Sequence, residues 1–324
     1  MKIPFKRRLM KLGVATAALF TFIGFSAQSA KADKVKIQPM FTYGESLNTS
    51  QFNQTKQLLG VANGTTEIPV AINELNGLLQ DNYPYYQVYS STYITPADNN
   101  GGVTVEIKTP DTITSITRLQ YENAAITAGA VDVDIKVASA VPVDGSGALA
   151  GVYKAFQKSG KTLNSEAVGV AQDELNTAVQ ITADNKDKQG YSDESLNAAI
   201  ADIKEQIQNY KDKNGGSIDN NQIQVIINNV INNYNLNGVL SDENLNQLNQ
   251  LMQRFSKIEL SDEQKQALSN LGDKIRETGQ GIADKAKETW NNLSDDQKAE
   301  VTGLWDKIVQ FVKDTWNSLL NIFN

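Results

Sequence analysis

The stretch VDVDIKVASAVPVDGSGALAGVYKAFQK, residues 131–158, contains a strand pattern, the last proline of the chain and a helix pattern. Residues 131–141 alternate β-branched with polar side chains, which predicts a strand. After Pro142 the apolar residues follow a helical period over Gly147–Lys158, and Ser146 is placed to cap that helix. We therefore expect the chain to change after this stretch from alternating strands and helices to helices alone.

Toward the N-terminus, strand patterns and helix patterns alternate. Four more short segments rich in β-branched or aromatic residues predict strands at residues 35–43, 67–72, 87–94 and 103–108. Helical periods lie at residues 50–59 and 116–128, the second closed by Gly129. The NNGG sequence at residues 99–102 predicts a hairpin turn between the third and fourth of these strands. Together these patterns predict an α+β domain over residues 33–160.

Toward the C-terminus, the chain is predicted to be all helical. All seven prolines lie between Pro4 and Pro142, and a proline-free tract of this length is typical of helices, whose interiors exclude proline. Helices are expected at residues 165–184, 192–213 and 220–234 and after the capping residues Ser241 and Ser261. We expect a helical domain over residues 161–258 and C-terminal amphipathic helices over residues 259–324.

The composition excludes several kinds of chemistry. The chain of 324 residues contains no Cys and no His, so disulfides, thiolate nucleophiles, imidazole bases and metal sites built from these ligands are absent. Asp132 and Asp134 are not followed by a calcium-loop motif. We assign them to the polar side of a half-buried strand, with Val131, Val133 and Ile135 inward. We therefore expect no metal and no cofactor.

Residues 1–32 have the pattern of a secretory signal peptide. Five Lys and Arg residues precede an apolar stretch, and Ala30 and Ala32 occupy the two positions that a signal peptidase reads. The apolar stretch is shorter than the roughly twenty residues that a membrane span requires. We expect a secreted chain that acts outside a Gram-positive cell or at its surface.

Removal of that signal would leave a strongly acidic chain. The whole sequence has 30 Lys and Arg against 37 Asp and Glu, a net charge of −7. Six of those basic residues and no acid lie in residues 1–32, which leaves 24 bases against 37 acids, a net charge of −13. We exclude nucleic acid as a partner because a charge of this sign repels it.

Several segments carry a family resemblance. They are Tyr43-Gly44-Glu45-Ser46-Leu47, residues 123–129 (NAAITAG), residues 145–149 (GSGAL), residues 153–156 (YKAF), residues 201–204 (ADIK), and residues 228–235 (NNVINNYN) with Leu251-Met252. In this order they resemble the secreted YpuA-like family of Gram-positive bacteria, a domain of unknown function (number 1002), over about residues 36–258. The resemblance implies an exported protein with an α+β part and a helical part. It implies no catalytic residue, because none is established for the family.

The strongest functional signal is an apolar stripe near the C-terminus. Its residues follow one another at spacings of three and four, which places them on one side of a helix. They are Leu304, Trp305, Ile308, Val309, Val312, Trp316, Leu319, Leu320 and Phe323. Burying nine such side chains contributes on the order of 15–25 kcal/mol gross. We expect the C-terminal stripe to be covered by something rather than left in water.

Two kinds of cover stay open for the C-terminal stripe. The first is a membrane surface, a protein partner or another copy of the chain. The second is the protein itself, because the preceding helix has apolar residues at heptad-like spacing. They are Leu268, Leu271, Ile275, Ile282, Ala286 and Leu293.

A cluster of tyrosines suggests a second contact with other molecules. Tyr83, Tyr85, Tyr86, Tyr89 and Tyr93 lie in one short segment. Exposed tyrosines stack on sugar rings, which would suit a wall glycan, but tyrosine is also common in strand packing. We interpret the loop at residues 144–147 (DGSG) as a strand-to-helix turn with a serine cap.

These features predict an exported, envelope-associated binding or interaction protein that is not an enzyme. The alternative is a secreted hydrolase that acts on cell-wall polymer through a carboxylate pair. That alternative requires a cleft with two acids about 5–9.5 Å apart.

Overall fold

The computed structural model describes residues 37–97 and 102–291, with side chains described as far as residue 277. The strands are Met40–Gly44 (β1), Thr66–Val70 (β2), Ser91–Pro96 (β3), Val103–Ile107 (β4) and Val133–Ala138 (β5). Each lies in or overlaps one of the five predicted strand segments. Strand prediction succeeds because each segment has β-branched or aromatic residues between turn-forming residues.

The helices account for most of the other described residues. They are Thr49–Leu59 (α1), Leu75–Leu79 (α2), Arg118–Ala128 (α3), Gly147–Lys158 (α4), Ser165–Asn185 (α5), Asp193–Lys213 (α6), Asn220–Asn233 (α7), Asp242–Phe255 (α8) and Asp262–Asn291 (α9). A 3-10 turn, Ile72–Glu74, precedes α2. This turn and α2 are absent from the prediction, because they are too short to show a helical period. The observed architecture is a mixed sheet with helices, followed by a helical half. It confirms the predicted α+β class.

The five strands form one mixed sheet in the order β2-β1-β3-β5-β4. β1 pairs in parallel with β2 and antiparallel with β3, while β5 pairs antiparallel with β3 and in parallel with β4. The prediction of a hairpin between β3 and β4 is therefore wrong, because β5 lies between them. Turn-forming residues indicate only a local bend. Which strand lies beside β3 depends on β5, a segment some thirty residues after β4. Residues 99–101 of the predicted turn lie outside the described residues.

The two sides of the sheet are covered by different helices. Side chains alternate along a strand, so Phe41 of β1 faces one side and Thr42 the other. Phe41 packs in a small apolar cluster with Leu59 of α1. Thr42 lies against α4, where a Cβ added to Gly151 would come within 2.3 Å of the Thr42 hydroxyl oxygen. Helix α4 therefore packs closely on the sheet only because it has a glycine there.

One hydrophobic cluster extends from the sheet into the helical half. Helix α3 is central to it, since ten of its eleven residues are buried. The predicted C-terminal cap of α3, Gly129, is confirmed with a positive φ of 88°. The boundary proposed at residue 160 stays a prediction.

A buried charge pair joins three helices inside this core. Lys204 of α6 donates to Glu174 of α5 at 2.8 Å, and to Thr127 of α3 at 3.1 Å. Thr127 in turn donates to the other oxygen of Glu174 at 2.7 Å. Burial lowers the pKa of the Lys204 amine, and Glu174 opposes this effect. Because each charged group of the pair has hydrogen-bond partners, the charges can remain in the core.

Candidate functional site: a tyrosine-lined groove

The described surface has two adjoining clefts at the loop that connects α2 to β3. The first has a volume of about 560 Å³ and lies beside the 3-10 turn and α2. The second, of about 270 Å³, lies beside the beginning of α4. Tyr83 and Tyr85 line both clefts. We call the two clefts together the tyrosine groove.

The loop is held in place by the segment that follows β1. The Ser46 hydroxyl oxygen accepts from the Val88 N–H at 2.9 Å, and the Ser46 N–H donates to the Val88 carbonyl at 3.1 Å. A Cβ on Gly44 would lie 2.1 Å from the same carbonyl oxygen, so only glycine permits this approach. Residues 44–46 therefore fix the position of the loop that carries the tyrosines.

The tyrosines of the loop differ in how firmly they are held. Tyr85 donates to an Asp81 carboxylate oxygen at 2.7 Å, and burial together with Asp81 raises the Tyr85 pKa far above its ordinary value. The centroid of the Tyr83 ring lies 4.9 Å from that of the Tyr85 ring. Tyr83 is 59% exposed and Tyr86 is 76% exposed. The groove thus combines one fixed tyrosine with two whose rings are free to contact a ligand.

The second cleft is closed by the loop before α4. Ser146 has helical backbone angles and makes no side-chain cap bond, so the prediction of a serine cap is wrong. Asp144 instead holds the loop before the helix, because it accepts from the N–H groups of Gly145 at 2.7 Å and Ser146 at 3.3 Å. A carboxylate at this position is attracted by the helix dipole as well as by the N–H groups.

The groove has a polar lining without positive charge. Among the described residues, neither cleft is lined by Lys or Arg, and each is lined by one carboxylate, Glu45 in the first and Asp144 in the second. Glu45 accepts from the Ile72 N–H at 2.7 Å, while Asp144 bonds within its own loop. Each cleft therefore presents a single carboxylate among its described lining residues.

Comparison with known proteins places the chain in a family. Residues 43–271 match a family model described as "Protein of unknown function (DUF1002)". The chain belongs to this family. The resemblance noted in the sequence is thereby confirmed, and the matched residues include the whole groove.

One curated relative covers nearly all of the chain. It is the Uncharacterized protein YpuA of Bacillus subtilis (strain 168), 28% identical over 320 residues, which are 97% of this chain and 100% of that protein. No solved structure matches the chain. Neither the family description nor the relative's name states a molecular function.

The structure places four of the five clustered tyrosines in the groove. Tyr83, Tyr85, Tyr86 and Tyr89 line it. Tyr93 does not, because it belongs to β3 and is buried beside Phe41. The strand-packing interpretation is correct for Tyr93 alone. Sequence reasoning missed Glu45, which lines the first cleft, and Ser46, which holds the tyrosine loop in place. Both lie some forty residues before the tyrosines, and the sheet brings them beside that loop.

The other acidic candidates give no site. Val131, Val133 and Ile135 are buried as predicted, while Asp132 precedes β5 with a positive φ of 63°. Within residues 37–97 and 102–291, no three acidic side chains are grouped so that they could hold a metal ion.

The C-terminal stripe lies outside the described residues, so its contacts stay a prediction. Its suggested partner within the protein begins in α9. There Leu268, Leu271 and Ile275 are buried, and α9 packs on α6 and α3. This part of the heptad-like surface is therefore already covered. No helix in the described part of the chain has an apolar length sufficient to cross a bilayer.

Proposed function

We propose that this chain is an exported, envelope-associated binding protein without catalytic activity, and that the tyrosine groove is its binding surface. The supporting observation is the exposure of Tyr83 and Tyr86 in a concave lining whose described residues include no cationic side chain. Binding sites are typically concave, with aromatic walls and a few polar groups that orient the ligand. Export rests on the signal pattern of residues 1–32 and on the acidic, cysteine-free composition.

The groove can be tested by sedimentation with purified Gram-positive cell wall. The wild-type chain is expected to sediment with the wall, and the variant Tyr83→Ala/Tyr86→Ala to lose at least tenfold in apparent affinity. Val225→Ala is the matched control, because Val225 is an exposed apolar residue on α7, 47% accessible and away from the groove. Equal sedimentation of all three proteins, or of none, would contradict a wall-binding role for the groove.

The same proposal assigns the C-terminal stripe to attachment or self-association. It is supported by the burial of Leu268, Leu271 and Ile275, which removes part of the surface that the stripe could cover within one molecule. The test is liposome flotation and mass measurement of the mature chain with and without residues 294–324. Loss of flotation, or a fall from oligomer to monomer mass, supports attachment. Unchanged behaviour in both measurements would refute it.

A further inference from the structure

We infer that the ligand of the tyrosine groove is a neutral oligosaccharide, bound with one sugar unit in each of the two clefts. This inference rests on the proposed function and narrows it to one ligand class. Three properties of the groove support it, namely its charge, its hydrogen-bonding groups and its division into two clefts.

The charge of the groove disfavours anions. In the part of the chain that the structure describes, no cationic side chain lines either cleft, and both lining carboxylates, Glu45 and Asp144, are oriented by hydrogen bonds from backbone N–H groups. A phosphate or carboxylate ligand would meet these two negative charges without a compensating Lys or Arg. A neutral ligand meets no such repulsion.

The hydrogen-bonding groups suit hydroxyls and acetamido groups. Asn73 and Asn76 line the first cleft, and among the described residues neither amide side chain has a hydrogen-bond partner. In the second cleft Ser90 is only 5% exposed, and its hydroxyl likewise has no partner in the described part of the chain. Amide and hydroxyl groups can each donate and accept, as sugar hydroxyls do.

The aromatic rings supply apolar contact between these polar groups. Exposed faces of Tyr83 and Tyr86 can lie against the C–H faces of sugar rings, as aromatic rings commonly do with apolar surfaces. Because Tyr83 and Tyr85 line both clefts, a ligand that fills the first cleft continues along the same wall into the second. A single sugar unit would occupy one cleft and leave the other filled with water.

A peptide is the competing class of ligand. A peptide that extends a sheet needs a free strand edge, but the groove is built from a loop, a 3-10 turn and the beginning of α4. A proline-rich peptide can dock on tyrosines without a strand edge. It is therefore included as an arm of the test.

The experiment is calorimetric titration of the mature full-length chain with β-1,4-linked N-acetylglucosamine oligomers of one to six units and with a proline-rich decapeptide. Affinity is expected to rise at least tenfold from the single sugar to the dimer, which fills both clefts, and then to level off. Tyr83→Ala should weaken binding of all oligomers, since Tyr83 lines both clefts. Ser90→Ala should weaken the longer oligomers at least threefold and leave the single sugar unchanged. Val225→Ala should match the wild type.

The outcomes separate this inference from the proposed function. Affinity independent of oligomer length, or tight binding of the peptide alone, would overturn the inference. If the chain binds cell wall through Tyr83 and Tyr86 but no oligomer, the ligand class is wrong and the binding role stands. If it binds neither, both fail. Thermal unfolding is the control for folding. If each variant unfolds at the same temperature as the wild type, a loss of affinity does not come from misfolding.

Discussion

At the level of single residues, contacts between individual side chains decide which residue types can occupy the core and the edges of the groove. Lys204 and Glu174 are buried together, and each depends on the other for compensation of its charge. Removal of one partner leaves an uncompensated charge, whereas removal of both leaves an apolar contact. We therefore expect a larger loss of stability when one member of the pair is replaced than when both are replaced by apolar residues.

The first prediction concerns this pair. Lys204→Met should lower the free energy of unfolding by about 3–5 kcal/mol, because Glu174 then lacks its cation. The double variant Lys204→Met/Glu174→Leu should regain most of that loss, since Thr127 keeps its hydrogen bond to the Asn123 carbonyl. Urea unfolding measures both values. A double variant no more stable than the single one would show that the pair is not coupled in this way.

Gly151 and Gly77 provide a second, paired prediction. Gly151→Ala places a Cβ 2.3 Å from the Thr42 hydroxyl oxygen and should destabilise the chain by about 1–3 kcal/mol. A Cβ on Gly77 of α2 would meet nothing within 4 Å, so Gly77→Ala should stabilise by about 0.5–1 kcal/mol. Thermal unfolding tests both variants, and a destabilising Gly77→Ala would contradict the open surroundings of Gly77 in α2.

The third prediction is a pH dependence at the edge of the groove. Burial opposes ionisation of Glu74, but hydrogen bonds from Lys154 and the Ala71 N–H outweigh it and lower the Glu74 pKa below its ordinary value. The ionised form is therefore favoured by folding, so this stabilisation is present above the unfolded pKa, about 4.3. It is lost as the pH falls through the lower folded pKa.

Glu74→Gln removes that contribution. Its free energy of unfolding should fall less steeply than that of the wild type between about pH 4 and pH 2. Urea unfolding at a series of pH values measures the two slopes. Equal slopes would mean that Glu74 gains nothing from Lys154.

At the level of secondary structure, α9 is the connection between the described body and the C-terminal stripe. Its side chains Leu268, Leu271 and Ile275 are buried, and Gln264 donates to the last carbonyls of α3 at 3.0 and 3.1 Å. The predicted capping box of Ser261 and Gln264 is confirmed. Helix α9 thus begins as part of the core rather than as a free arm.

The fourth prediction tests this docking. Leu271→Ala should lower the free energy of unfolding by about 2–5 kcal/mol, because a buried leucine of α9 is truncated. Gln266→Ala, at an exposed position on the same helix, should change it by less than about 0.5 kcal/mol. Urea unfolding measures the free energy of unfolding of the two variants. An unchanged free energy in Leu271→Ala would mean that α9 is not docked on α6 and α3.

The strands and helices also show how far sequence patterns can predict this fold. Periodicity and caps are local, so the predicted bounds of the five strands and the long helices lie close to the observed ones. Strand neighbours are not local, which is why the turn pattern wrongly joins β3 and β4 in a hairpin although β5 lies between them. The shortest helix, α2, escapes prediction because five residues are too few to show a period.

At the level of the full molecule, the groove depends on contacts between distant parts of the sequence. The tyrosines are recognisable as a cluster, and the DGSG loop as a helix entry. That both meet Glu45 and Ser46 at one surface depends on the sheet, which brings the end of β1 beside the loop before β3. The parts of the candidate site can therefore be predicted from sequence patterns, but their assembly cannot.

Both functional proposals for the groove require that a ligand binds there. Hydrogen–deuterium exchange of the full mature chain, with and without a saturating N-acetylglucosamine tetramer, locates that binding on the chain. Slower exchange is expected in the presence of the tetramer, confined to residues 71–76, 83–90 and 142–147. Unchanged exchange in these segments, with slowing elsewhere or nowhere, would contradict binding of the oligosaccharide in the tyrosine groove.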